Sequence, residues 1–223
     1  MKNLILLALL LFVGCAGPGG TGSASRSSAD KEFQKVAERY LDGYLAWRPQ
    51  LGTALGWHQY DGKVTDYSQH SLDMELARLK QFDRELAVLD TNTLSAGAFF
   101  DYRLLRGSIK REMFSFEGMR SFWLNPMTYA GVLDVNIYIK RDFAPLPARL
   151  RSVISILQQA PQIMSAARAN LAESLPRPFI ETAIEQAGGA ADFLGKDLVE
   201  ALKSVADERL MAEFNAANQR AIA

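Results

Sequence analysis

From residue 30 to the end of the chain, apolar residues recur at steps of three and four, the spacing that gathers them on one face of an α-helix. Phe33, Val36, Ala37, Tyr40, Leu41, Tyr44 and Leu45 make the first series, with Asp30 placed to cap it and Pro49 to end it. Leu72, Leu76, Leu79, Phe82, Leu86 and Leu89 make the second, opened by Ser68 or Ser71, with Asp73 and Glu75 suited to its positive end. After a turn over 91–95, Ala98, Tyr102, Leu105, Ile109 and Met113 make the third.

Prolines punctuate the rest. Pro145 and Pro147 open a helix carrying Leu146, Leu150, Val153, Ile154 and Leu157, and Pro161 sits in the first turn of another with Ile163, Met164, Ala167 and Leu171. Beyond Pro176 and Pro178 a long series runs through Phe179, Ile180, Ala183, Ala187, Ala190, Leu194 and Leu198. The one stretch that competes for strand, 132–139, is short and broken by Asp134 and Asn136, and reads as helix or an irregular apolar segment. The fold class is therefore all-α.

Three details of the pattern carry expectations about packing. Segment 122–142 is aromatic and apolar with few charges, and must lie against the core or a partner. Gly188 and Gly189 each cost a helix about 1 kcal/mol, a loss that makes sense where a second helix comes close. The last series, Leu210, Met211, Phe214, Ala217, Ala221 and Ile222, is still amphipathic at Ala223, with no glycine or asparagine cap. It predicts exposed apolar surface over 210–222 and a helical domain, 30–223, truncated at its C-terminal end.

Ahead of the helices stands a different pattern. Lys2 precedes an unbroken apolar run over 4–13, whose ten residues would rise about 15 Å as a helix against about 30 Å for a bilayer core. That is the length of a signal-peptide core, not of a span. The run ends in Phe12-Val13-Gly14-Cys15, which resembles the bacterial lipobox, and Cys15 is the only cysteine in the chain. The expectation is a signal peptide over 1–14, a lipidated Cys15, and a Gly- and Ser-rich tether over 15–29. The membrane is then a partner through the lipid anchor. Ala16, not aspartate, follows the cysteine, which favours the outer membrane, with the domain facing the periplasm of the bacterial cell envelope.

Composition narrows the function classes. Apolar residues at 48% and charged residues at 22% suit a globular domain, and the balance of 25 basic and 25 acidic residues leaves no nucleic-acid footprint. A single cysteine excludes an internal disulfide and a cysteine-based metal site.

Candidate chemistry concentrates in 48–68, where Pro49, Gly52, Gly56 and Gly62 break the helical pattern around Trp57, His58, Tyr60, Asp61 and Tyr67. His58 is one of two histidines and fits either a catalytic role or a structural one in an aromatic corner. Glu181 and Glu185, four apart, share a helix face. A metal role for them would need a Glu-x-x-His element that is absent, which leaves a polar strip on a groove or in solvent. Asp134, Asn136, Lys140, Arg141 and Asp142 fit a polar site or a charged helix end equally. His58 and His70 do not make a His-x-x-x-His pair, and no serine sits in Gly-x-Ser-x-Gly. No catalytic residue, metal ligand set or cofactor is assigned within this chain.

Several blocks nonetheless form a recognisable series. Pro49-x-x-x-Thr53-Ala54-Leu55-Gly56-x-His58-x-Tyr60-Asp61, then Asn125-Pro126 with Tyr129, then Asp142-Phe143-Ala144-Pro145, then residues 181–189, together resemble the bacterial "domain of unknown function 885" family. The resemblance implies an all-helical protein, often secreted or lipid-anchored, similar in plan to helical zinc peptidases. It further implies a His-Glu-x-x-His motif in a C-terminal portion missing here, since this chain has no His-Glu pair. Zinc and a peptide substrate are accordingly expected only in a full-length relative. On this reading the chain is the N-terminal part of a larger peptidase-like fold, walling a substrate cleft, with His58, Tyr60, Asp61, Glu181 and Glu185 as candidate cleft or structural residues. The rival reading is a stand-alone, lipid-anchored helical binding module.

Overall fold

Local chemistry sets most of the helix boundaries. In the computed structural model, which describes residues 28–223, α1 (Ser28–Trp47) ends just before Pro49, and Pro49 takes the first turn of α2 (Pro49–Ala54), where its missing N–H is not needed. Ser68 caps α3 (Gln69–Ala87) by accepting from Ser71 N at 3.3 Å. Ser95 does the same for α4 (Ala96–Glu117) through Ala98 N, at 3.3 Å. Three short helices follow: α5 (Ser121–Leu124), α6 (Met127–Ala130) and α7 (Asn136–Lys140). Prolines open α8 (Leu146–Gln158), α9 (Ala160–Asn170) and α10 (Arg177–Gly195). After α11 (Asp197–Leu202), Asp207 caps α12 (Glu208–Ile222) by accepting from Leu210 N at 3.0 Å. No strand occurs among the described residues, so the chain is all-α as its periodicity predicts. The signal peptide and Cys15 lie outside the described residues.

Asp30 is not the cap of α1. The helix begins two residues earlier, at Ser28, and the Asp30 carboxylate accepts from Ser95 N at 2.9 Å, tying the start of α1 to the start of α4.

The helices enclose two apolar cores. Phe33, Val36, Tyr40, Leu72, Leu79 and Ile109 fill the first, between α1, α3 and α4, and Val135, Leu150, Ile156, Leu157, Leu198 and Phe214 fill the second, among α7 to α12. Tyr67 packs against both cores. Its ring meets Trp47 and Tyr129 edge-on, and Asn170 Nδ2 binds both the Tyr67 carbonyl (2.8 Å) and the Tyr129 hydroxyl (3.1 Å). The aromatic middle segment thus belongs to the interior: Phe122, Tyr129, Val132, Leu133, Val135 and Tyr138 are all buried.

The first core also holds charge. The buried Glu75 carboxylate accepts from Arg78 Nε (2.7 Å), Arg78 Nη2 (3.0 Å) and Arg48 Nη1 (3.1 Å), while Arg48 also pairs with Glu112. The network binds α3 to α4 through the arginine that follows α1. Such groups hold position because losing one partner would strand a charge out of water.

Two packing expectations fail in opposite directions. Leu210 is 5% exposed and Phe214 and Ala217 are 0% exposed, sealed mainly against α8, so most of the face expected to be open is core, and only its end, at Ile222, is exposed. Conversely, a methyl group added at Gly188 or Gly189 would meet nothing within 4 Å among the described residues, so none of the described helices approaches there, and Ile180 and Ile184 are exposed beside them.

Candidate functional site

The corner between α2 and α3 is built around two glycines. Gly62 adopts φ +75°, open to glycine at little cost. Its N–H donates to the Tyr138 hydroxyl at 3.0 Å, and its carbonyl accepts from Ser155 Oγ (2.8 Å) and Gln159 Nε2 (3.2 Å) of α8. Gly52 leaves room for the Tyr60 ring, since a methyl group there would lie 2.4 Å from Tyr60 Cδ2. These contacts hold the single 3₁₀ turn His58–Tyr60 on the body of the protein. Tyr60 is therefore a packing residue of the corner, with Lys63 above its ring.

The turn brings His58 and Asp61 together. His58 Nδ1 lies 3.1 Å from Asp61 Oδ2, and its ring stacks on Phe143 with centroids 4.0 Å apart and planes at 20°. A carboxylate only accepts, so Nδ1 carries the proton and the remaining ring chemistry falls to Nε2. A carboxylate-oriented imidazole is the arrangement of a general base. No serine, threonine or cysteine is hydrogen-bonded to this ring among the described residues, so the pair lacks the nucleophile that would complete a hydrolytic triad.

Phe143 is fixed by a residue that sequence reasoning missed. The buried Arg149 donates to the carbonyls of Ala144 (2.8 Å, from Nε) and Tyr138 (2.7 Å, from Nη1), and to Asp142 Oδ1 (2.7 Å, from Nη2). Its signal was available: Arg149 falls inside the apolar stripe of α8, with Leu146, Leu150 and Val153 on one side and Ile156 on the other. A charge at a core position of a helix needs a partner, and here the partner is the loop that carries Phe143.

Beside this corner a groove of about 350 Å³ is lined by Gln50, Leu51, Thr53, Asp134, Ile137 and Tyr138. Gln50 Nε2 donates to the Val132 carbonyl at 2.7 Å. The Tyr138 ring meets Phe143 edge-on, and burial pushes its hydroxyl pKa up, against the opposing pull of the Gly62 N–H. The groove and the His58 corner therefore share a wall. The polar residues expected nearby do not converge on one point. Asp134 accepts from Asn136 at the start of α7, Arg141 donates to the Ala54 carbonyl (3.0 Å), and Asp142 serves Arg149.

Glu181 and Glu185 stand elsewhere, on α10, and both are exposed. Arg177 Nε donates to Glu181 Oε1 at 2.6 Å along the helix surface. The helix packs on α6, α11 and α12, and no hydrogen bond or ion pair joins these carboxylates to His58. Among the described residues, no three His, Cys, Asp or Glu side chains lie close enough to hold a metal ion. None of the helices described is long and apolar enough to cross a membrane.

The family model described as "Bacterial protein of unknown function (DUF885)" matches residues 49–223. A solved structure from Shewanella oneidensis, described as that of a "putative lipoprotein of unknown function", is similar with a TM-score of 0.75 at 23% identity, over 85% of this chain. This chain spans 35% of that protein, so the likeness is one of fold over about a third of its length. No curated protein matches the chain.

Proposed function

Since the chain belongs to the DUF885 family of bacterial proteins, we propose that it is the helical, cleft-forming N-terminal part of a lipid-anchored, peptidase-like protein. The observation that carries this reading is α10. It turns Ile180, Ile184 and the Gly188–Gly189 pair to solvent, while this chain spans only 35% of the Shewanella protein. An apolar face of that kind asks for cover, and paired glycines let a second helix come close. The remaining portion of a longer protein is the natural cover, with Glu181 and Glu185 left at the rim of the cleft between them.

The described residues do not fit a zinc ion, since they supply neither three clustered donors nor a helical His pair. No step of peptide hydrolysis is assigned to them, and on this reading a zinc site belongs to the further portion. The anchor is Cys15, supported by the apolar run that precedes it and by the lipoprotein description of the structural neighbour.

The coding frame after Ala223 is the first test. Continuation into a helical sequence with His-Glu-x-x-His is expected, and a stop codon overturns the proposal. Metal analysis gives the second: the extended protein should hold one zinc and lose peptide hydrolysis on chelation, while the present chain holds none. A tightly bound zinc on this chain, lost in His58→Ala, would be equally fatal. The groove beside His58 favours one other reading, a stand-alone lipid-anchored binding module for a small polar ligand.

A further inference from the structure

A second exposed apolar face lies on α4, in the half of the molecule away from α10. Phe100 is 60% exposed, Leu104 72% and Phe114 60%. With 3.6 residues per turn these three fall on one line of the helix, extending about 21 Å along its axis. Arg111 lies within that line, and Arg103 and Lys110 flank it on one side, all three exposed. None of the three basic residues makes an ion pair with a carboxylate among the described residues. The acidic residues of the helix are otherwise engaged or lie elsewhere: Glu112 pairs with Arg48, Glu117, on the Lys110 side, is engaged by Lys80 at 2.5 Å, and Asp101 sits on the opposite shoulder.

The position of this face relative to the chain's entry point matters as much as its composition. Ser95, the cap of α4, donates its N–H to Asp30 in the first turn of α1 at 2.9 Å. The line of Phe100, Leu104 and Phe114 therefore starts about 8 Å along α4 from the place where the chain arrives from Cys15. Only residues 16–27 of the sequence separate Cys15 from the start of α1 at Ser28.

We propose that the α4 face bearing Phe100, Leu104 and Phe114, with Arg103, Lys110 and Arg111, lies on the anionic bilayer surface in which the lipidated Cys15 is inserted. The proposal rests on the lipid-anchor part of the reading above. An apolar line beside a row of cations is the composition of an interfacial helix, and each basic residue near an anionic leaflet favours contact about fivefold. The α10 face is unsuited to this role, because its exposed isoleucines stand among Glu181 and Glu185. Contact through α4 would fix the orientation of the tethered domain and leave α10 and the His58 corner turned to the aqueous side.

The test uses the full lipidated chain in vesicles. With the Cys15 thiol blocked by acylation, Leu104→Cys provides one labelling site for an environment-sensitive dye, and Ile184→Cys provides a second for comparison. Flotation reports the anchor. The dye at position 104 should shift to the blue on phosphatidylglycerol vesicles and much less on phosphatidylcholine, while the dye at 184 stays in water. Replacing Arg103, Lys110 and Arg111 together by Gln should lower the population in contact about a hundredfold and abolish the shift. A chain that does not float overturns the anchor and the contact together. A chain that floats with the dye at 104 still in water overturns the contact alone. A concentration-dependent shift at 104 without vesicles marks the face as an interface between copies, and shifts at both positions mark unspecific adsorption, each of which also overturns the proposal.

Discussion

α10 and α12 are alike in sequence and opposite in structure. Both are amphipathic by period, and both carry apolar residues at three- and four-residue steps. In α12 those residues meet the face of α8, and Asn218 ties the helix to the buried end of α10 by donating to the Leu194 carbonyl at 2.9 Å. In α10 only Ala183 and Leu194 are buried, and Ile184 is 67% exposed. Periodicity defines which residues share a face; it does not say which face finds a neighbour. The glycines of α10 mislead for a related reason. They record a tolerance for close approach, and nothing among the described residues makes use of it.

The largest expected effect breaks the comparison from the α12 side. Phe214→Ala removes a fully buried ring from the second core and should cost about 3–5 kcal/mol in urea denaturation. A cost under about 1 kcal/mol would mean that α12 is not seated on α8.

A proton tests burial in the other core without any truncation. Burial pushes the Tyr40 hydroxyl up to about 12, with a further push from Glu112 and opposing pulls from Arg48 and Arg78. A tyrosine whose folded pKa is raised contributes stability that is complete below its unfolded value of about 10 and is lost as pH climbs towards the folded value. The chain should therefore lose on the order of 2–3 kcal/mol between about pH 10 and 12. Tyr40→Phe should flatten part of that loss. Denaturation midpoints across this range decide it, and an unchanged slope in the variant would show that Tyr40 titrates as if exposed.

On the α10 side the expected sign reverses. Gly188→Ala and Gly189→Ala meet open space, so each should stabilise this chain by about 1 kcal/mol through helix propensity alone. In a longer protein whose further portion packs there, the same changes should destabilise. Thermal unfolding of both lengths separates the two cases, and a destabilised short chain would place a neighbour against α10 already.

What was legible in the sequence follows the reach of the interactions. Ser68, Ser95 and Asp207 act on backbone groups within three residues, so the caps of α3 and α4 and the start of α12 could be read from the chain alone. Asp30 looked like such a cap, but its partner is Ser95, 65 residues away, and no local rule reaches so far. The His58–Asp61 pair was visible as spacing within one turn, whereas the stacking on Phe143 depends on Arg149 holding a loop eighty residues on. Arg149 could have been suspected from its place in an apolar stripe, although its three acceptors could not. Glu181 and Glu185 were rightly placed on one helix, but their distance from the His58 corner is a matter of topology that spacing does not encode.

The smallest effect is the sharpest for α10. Ile184→Glu replaces an exposed isoleucine by a charge at a position with water on its outer side, so folding should change by no more than about 0.5 kcal/mol. Part of that sum is repulsion: the new carboxylate would lie three residues from Glu181, and like charges at that spacing cost about 0.2–0.5 kcal/mol. Arg177, already paired with Glu181, relieves some of it. Stability alone would then suggest that Ile184 does nothing. Sedimentation velocity supplies the contrast, because an apolar face left open should draw copies of the chain together at high concentration, and Ile184→Glu should leave them apart. A loss above about 2 kcal/mol in the variant would instead mean that Ile184 is covered in the isolated chain, and the contrast between α10 and α12 would be one of degree.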